Sequence, residues 1–264
     1  MNRLLKIIFL SIPIFISCSA KPDIDISNDN NELIEKLNKG IFFFEKGKHT
    51  RSLDEFSYIL LNDRGSEIGV EARYYQGEAN FELEQYDEAI ANYEKFLHYS
   101  SDQGKIEYIR FKICQSYFNL ATTYSRDQTN NDFAFMKLQY FIDEFPASEY
   151  ITKSEELLSV LRSRKAQKVY ETGRLYLKLK EYESSIIYFN DVIESYYDTE
   201  YADQSRISII FFYLLQNKSK EANSFYEDNK DNFQDISSKE EAELLLSNYS
   251  DTSFWIKNKI RLYK

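Results

Sequence analysis

The sequence predicts an all-α solenoid, about five helical hairpins stacked into a right-handed superhelix. Three observations predict it. Turn formers are scarce: the 264 residues hold 7 Gly and 3 Pro, and only Pro146 lies beyond residue 22. Helix-compatible Leu, Ile, Glu and Lys fill the chain, together with 22 Tyr and 20 Phe, which is not the composition of a β-sandwich or barrel. Small residues then recur at one fixed period over most of the length, as stacked repeats require.

The first element is a leader. Arg3 and Lys6 form a basic start, and Ile7 to Ile16 carries no charge. That run is half of the roughly 20 residues a membrane-spanning helix needs. It therefore reads as an export signal over residues 1–17. It ends Phe15-Ile16-Ser17-Cys18, close to a lipobox, with Phe15 where Leu is usual and a small Ser17 before the Cys. Cys18 is the expected mature N-terminus and lipidation site. Ser19, rather than Asp, follows it and is permissive for the outer membrane. Residues 18–31 are polar and turn-rich, and read as a tether. A dozen flexible residues reach roughly 20 Å root-mean-square.

Charge limits the partners. The full chain carries a formal −10, and losing the leader removes two bases and no acid. An acidic body argues against nucleic acid, whose phosphates need clustered Lys and Arg. It also argues against broad adsorption to anionic lipid, which leaves anchoring to the acyl chains. Cys114 is the only other Cys. With Cys18 lipidated, no internal disulfide can form, and packing must supply the stability.

The repeats follow from residue 32. Gly40, Gly77 and Cys114 stand 37 residues apart, as do Gly173 and Ile210. Twelve residues after each slot comes a second small residue: Ser52, Ala89, Ser185 and Ala222. Four further comes an aromatic: Phe56, Tyr93, Phe189 and Tyr226. In the third unit Ala134 and Leu138 hold these places, displaced by eight residues. The spacing describes a helical hairpin. A small residue on helix A lets helix B approach, the small residue on B seats against it, and the aromatic fills the gap to the next unit. Lys46-Gly47-Lys48, Glu84-Gln85-Tyr86 and Lys180-Glu181-Tyr182 suit the turns between A and B. This is the tetratricopeptide (TPR) pattern, longer than its usual 34 residues.

Two irregularities divide the array. Residues 125–132 are the eight-residue insertion. Ala134 to Ser185 is 14 residues longer than one repeat, nearly four helical turns. One long helix over about Ser148–Lys180 accounts for the excess, with Leu158, Leu161, Val169, Tyr170, Gly173, Tyr176 and Leu177 at helical spacings. It separates an N-terminal module, 32–147, from a C-terminal module, 148–230. Residues 231–264 leave the repeat. Lys239 to Leu246 reads as a capping helix, and Phe254-Trp255-Ile256 with Lys257, Lys259, Arg261 and Lys264 as a cap or partner-binding tail.

No catalytic or metal motif occurs. The two histidines, His49 and His98, stand near a turn and a helix end, and HExxH, CxxC, GxSxG, Walker and GxGxxG patterns are absent. Cys114 fills a packing slot. The acids are spread over helix faces. The expectation is a protein without cofactor, catalytic residue or small-molecule substrate.

Certain segments resemble the BamD (YfiO) family, tetratricopeptide lipoproteins of the β-barrel assembly machine. Arg126-Asp127 resembles the family's Asp-Arg-Asp loop. Leu138-Gln139-Tyr140-Phe141-Ile142-Asp143-Glu144-Phe145-Pro146-Ala147-Ser148-Glu149-Tyr150 resembles its aromatic-Gln-x-Leu-Ile-x-x-Tyr-Pro-x-Ser-x-Tyr. Tyr176 to Tyr182 and Tyr196-Tyr197-Asp198-Thr199 resemble the next unit. Ser100 and Tyr197 depart from it, standing where a Pro commonly closes a repeat. The resemblance implies a non-catalytic subunit on the periplasmic face of the outer membrane. Its C-terminal repeats would bind a BamA-like POTRA-barrel protein, and its N-terminal repeats would receive unfolded outer-membrane proteins. Two other readings are a lipoprotein adaptor for another envelope process, such as peptidoglycan remodelling, and a SusD-like glycan binder, for which the insertions are too small.

Overall fold

The computed structural model describes residues 26–121 and 129–247. Cys18, Arg126, Asp127 and the Phe254-Trp255-Ile256 cluster lie outside them. Eleven α-helices and no strand occupy the described residues: α1 (Ile26–Glu45), α2 (His49–Asn62), α3 (Glu67–Glu82), α4 (Tyr86–Tyr99), α5 (Gln103–Leu120), α6 (Thr129–Glu144), α7 (Ile151–Lys178), α8 (Tyr182–Ser195), α9 (Glu200–Leu215), α10 (Ser219–Asn229) and α11 (Ile236–Ser247). The fold is all-α and built of TPR-like hairpins, as the spacing predicts.

Three boundaries differ from expectation. α1 begins at Ile26, so its first residues belong to the stretch read as tether. α6 begins at Thr129 and takes Thr129 to Asp132 out of the insertion and into its first turn. The long helix is real but shorter, 28 residues from Ile151 to Lys178, or about 42 Å. Ser148 does not enter it; its Oγ accepts a hydrogen bond from the Tyr150 amide at 3.1 Å and shapes the turn ahead of it.

The turns within hairpins repeat a single backbone device. Gly47, Glu84, Lys180 and Asn217 all have positive φ, between 59° and 68°, and the first pair and the last pair are each one period apart. After each, an amide returns to the carbonyl five residues back: Lys48 to Phe43, Gln85 to Asn80, Glu181 to Tyr176 and Lys218 to Tyr213, at 2.8–3.0 Å. This satisfies carbonyls that a helix end leaves open. Side chains cap α3 and α5. Ser66 Oγ accepts from Gly69 N and Asp102 Oδ1 from Lys105 N, both at 3.2 Å.

The core is a chain of clusters, one for each junction between hairpins. Odd-numbered helices meet one another, as Tyr74 of α3 and Tyr108 of α5 do. Between even-numbered helices the surface opens into clefts, over α3 between α2 and α4, and over α5 between α4 and α6, the latter about 510 Å³. The odd helices therefore line the inside of the curve. α9 is buried on nearly every side, because α7 and α8 pack on one side of it and α10 and α11 on another, with Ala242 and Leu245 of α11 joining Ala222 and Tyr226 of α10 against Ile207, Ile210 and Leu214.

Candidate functional site

The repeat slots set the geometry of the inner face. Gly40, Ser52, Gly77, Ala89, Cys114, Ala134, Gly173, Ser185 and Ala222 are all helical and buried. At the glycines the nearest neighbour is the aromatic ring of the same hairpin. A β-carbon on Gly77 would stand 2.5 Å from the Tyr93 ring, one on Gly173 would stand 2.8 Å from the Phe189 ring, and one on Gly40 would strike Phe56. The ring sixteen residues on lies directly against the glycine. Where the later side chain is Leu138, the slot accepts Cys114, and both join one cluster. Burial pushes the Cys114 thiol up to about 12, so it is protonated and inert at neutral pH.

Closely packed hairpins bring the half-buried tyrosines of odd helices into one row. Phe44 meets Tyr75 at 5.7 Å between ring centroids, Tyr75 meets Tyr74 at 5.1 Å, Tyr74 meets Tyr108 at 6.4 Å, Tyr108 meets Tyr150 at 6.1 Å, and Tyr150 stacks on Phe111 at 4.7 Å. The row crosses α1, α3, α5 and the turn into α7. Lys105 bridges two of these helices by its 2.6 Å ion pair with Glu71 and lies over the Tyr74 ring.

Beneath the row sits a buried carboxylate. Glu78 accepts hydrogen bonds from Tyr93 at 2.5 Å and Tyr108 at 2.9 Å. The Lys112 ammonium is 3.8 Å away and lies against the Phe81 ring. Burial, then the charge of Glu78, pushes Tyr74, Tyr93 and Tyr108 well above the usual phenol range. Burial pulls Lys112 down, against Glu78 and Glu82, which hold it up. The tyrosines therefore remain neutral donors, with the Tyr93 and Tyr108 hydroxyls committed to Glu78. Sequence reading did not single out Glu78 or Lys112. The positions equivalent to Glu78 in the other repeats are Ile41, Gln115, Arg174 and Phe211, which share no chemistry that could have flagged it.

Residues 64–224, from the end of the first hairpin into α10, match the family model YfiO, described as outer membrane lipoprotein. The chain belongs to the BamD (YfiO) family. Among its relatives, a protein named outer membrane protein assembly factor BamD from Rickettsia prowazekii (strain Madrid E) is 25% identical over 226 residues, 85% of this chain and 89% of that protein. One of the same name from Caulobacter vibrioides is 24% identical over 178 residues, 67% of this chain and 58% of that protein.

The family-matching segments have structural work in this chain. From the Leu138–Tyr150 segment, Phe141 and Tyr150 pack on Phe111, and Phe145 packs on Phe141. They seat the start of α7 on α5. Asp198, in the segment Tyr196 to Thr199, accepts two bonds from Arg162 Nε at 2.7 and 2.9 Å, and Arg162 Nη2 donates to the Ser195 carbonyl at 2.7 Å. The loop between the fourth and fifth hairpins is thereby tied to the middle of α7. In α9, Asp203 pairs with buried Arg206 at 2.7 Å. Its other oxygen accepts from the amides of Gln234 and Asp235 at 2.9 Å, fixing the entry to α11. Sequence reading missed Arg162 and Asp203 because they bond to groups 36 and 31 residues away; Arg206 pairs with Asp203 only three residues before it, a spacing shared by many solvated helix pairs, and its burial comes from the tertiary fold. Among the described residues, no helix is long and apolar enough to cross a membrane.

Proposed function

We propose that this protein is a BamD-like assembly factor, a non-catalytic scaffold held by lipid on Cys18 at the periplasmic face of the outer membrane. It helps deliver and insert β-barrel proteins there. The match over residues 64–224 carries this reading. The relatives' names, which describe outer membrane protein assembly, support it. The division of labour follows the break at α7. The N-terminal module, 32–147, receives unfolded outer-membrane proteins along the part of the aromatic row from Phe44 to Phe111, where an extended chain can stack on the rings. The C-terminal module, 148–230, binds a BamA-like POTRA-barrel protein, and residues 231–264 close the array. α7 links the two modules as a continuous helix, so a ligand on one is held at a set angle to the other. The test is a pull-down of the intact protein from native membranes in mild detergent, with mass spectrometry of partners and of the N-terminal peptide. A POTRA-barrel protein with a lipidated Cys18 is expected. Recovery of peptidoglycan-remodelling enzymes in its place would overturn the reading.

A further inference from the structure

The chain carries 33 Lys and Arg against 43 Asp and Glu, yet the first hairpin turn inverts this balance. From residue 36 to 51 stand Lys36, Lys39, Lys46, Lys48 and Arg51, with Glu45 the only acid. Glu55 neutralises two of these cations, bonding Lys39 at 2.6 Å and Lys36 at 3.2 Å. Lys46, Lys48 and Arg51 are exposed and make no ion pair among the described residues. Beside them a large apolar side chain faces water: Phe42 is 52% exposed. Its ring lies 5.9 Å from Phe43, with Lys46 at 5.8 Å, while Arg51 and Lys39 each stand 5.9 Å from the Phe43 ring. Lys46, the first residue after α1, stands four residues after Phe42 and on the same side as its ring.

We propose that this cationic, aromatic turn is a membrane contact that seats the first hairpin on an anionic phospholipid surface. An aromatic ring among lysines and arginines is the chemistry that settles at the boundary of headgroups and acyl chains. The acidity of the whole body argues against broad adsorption, and a local patch escapes that argument because surface potentials act within about 8 Å at physiological ionic strength. The placement rests on the lipid-anchored reading above. Seven residues separate Cys18 from Ile26, and even fully extended that span reaches no more than about 28 Å. α1 is about 30 Å long, as long as the span before it, so the far end of α1 can reach the bilayer at any extension of that span. The tether supplies a high effective concentration, and a weak patch suffices. Seating the turn would fix which way the inner face of the array opens relative to the membrane.

The mature chain, 18–264, prepared without lipid, separates this proposal from lipidation. Co-sedimentation with phosphatidylglycerol–phosphatidylcholine vesicles should show binding that salt weakens, and phosphatidylcholine vesicles alone should show little. Each Lys or Arg near an anionic surface contributes about a fivefold affinity, so Lys46→Gln, Lys48→Gln and Arg51→Gln together should weaken binding about a hundredfold. Replacing the same three with Lys46→Arg, Lys48→Arg and Arg51→Lys should restore it. Phe42→Ser should weaken binding with its salt dependence unchanged. Lys257→Gln with Lys259→Gln, in the basic tail, should leave it intact. Absence of binding to the anionic vesicles, an unaffected triple variant, or loss of binding in the tail variant alone would overturn the proposal. None of these outcomes depends on Cys18, whose lipidation is read separately from the native protein's mass.

Discussion

In the N-terminal half the buried carboxylate of Glu78 is held by two tyrosine hydroxyls, with an ammonium 3.8 Å away. In the C-terminal half the buried carboxylate of Asp203 is held by Arg206 at 2.7 Å and by two backbone amides. The first arrangement lies under an open row of half-buried rings, and the second under α11. The difference follows from position in the array. An inner face in the middle of a solenoid stays open to solvent. The last inner helix has no following repeat, and its apolar side must be covered by the chain's own tail. The same helical register thus yields a face of half-buried rings at one end and a second core at the other. The cations separate the halves as well, with the unpaired ones of the first turn facing solvent and Arg206 sealed within.

The largest effect should come from removing the Asp203 carboxylate. Asp203→Ala leaves Arg206 charged and without its carboxylate, and two amides unbonded, which costs about 3–5 kcal/mol. Glu78→Gln keeps an acceptor for the tyrosines and should cost about 1–3 kcal/mol. Urea unfolding of both variants tests the contrast, and a reversed order would mean that the N-terminal charge is the more rigidly held. Next in size is Gly77→Leu. The Tyr93 ring would have to leave the helix surface, and overpacking of this kind costs about 1–3 kcal/mol. The same variant should disturb the Tyr93–Glu78 bond and weaken peptide binding to the row. Thermal melting with a peptide titration would show both, and an unchanged melt would mean that the helices part freely.

A smaller effect tests what the two halves share. Lys180 holds a left-handed conformation, φ 63°, that Gly47 holds at 68° in the first hairpin. Left-handed backbone is unfavourable for a side chain bearing a β-carbon. Lys180→Gly should therefore stabilise by about 0.5–1 kcal/mol, and Gly47→Ala should destabilise by a similar amount. Denaturant midpoints decide the matter, and loss of stability in Lys180→Gly would show that the side chain contributes more than the turn geometry takes away.

The sequence by itself determined the period, the identity of the packing slots and the break in the array. The glycines at 40, 77 and 173 and their rings sixteen residues on are local facts of a hairpin, since a helix repeats its faces every few residues. Most of the 14-residue excess before Ser185 went into α7, since no Pro stands between Ser148 and Lys180. What the pattern left open was which neighbour lies nearest each glycine: the fold placed the rings of Phe56, Tyr93 and Phe189 there. Only the tertiary structure decided that Glu78 and Lys112 share a buried site, that α9 is enclosed by α11, and that Asp203 grips residues 234 and 235. These outcomes depend on pairs about 30 residues apart, brought together by stacking of successive hairpins. A sequence period records that hairpins stack, but a charge buried between two of them leaves no periodic trace, because it is made once.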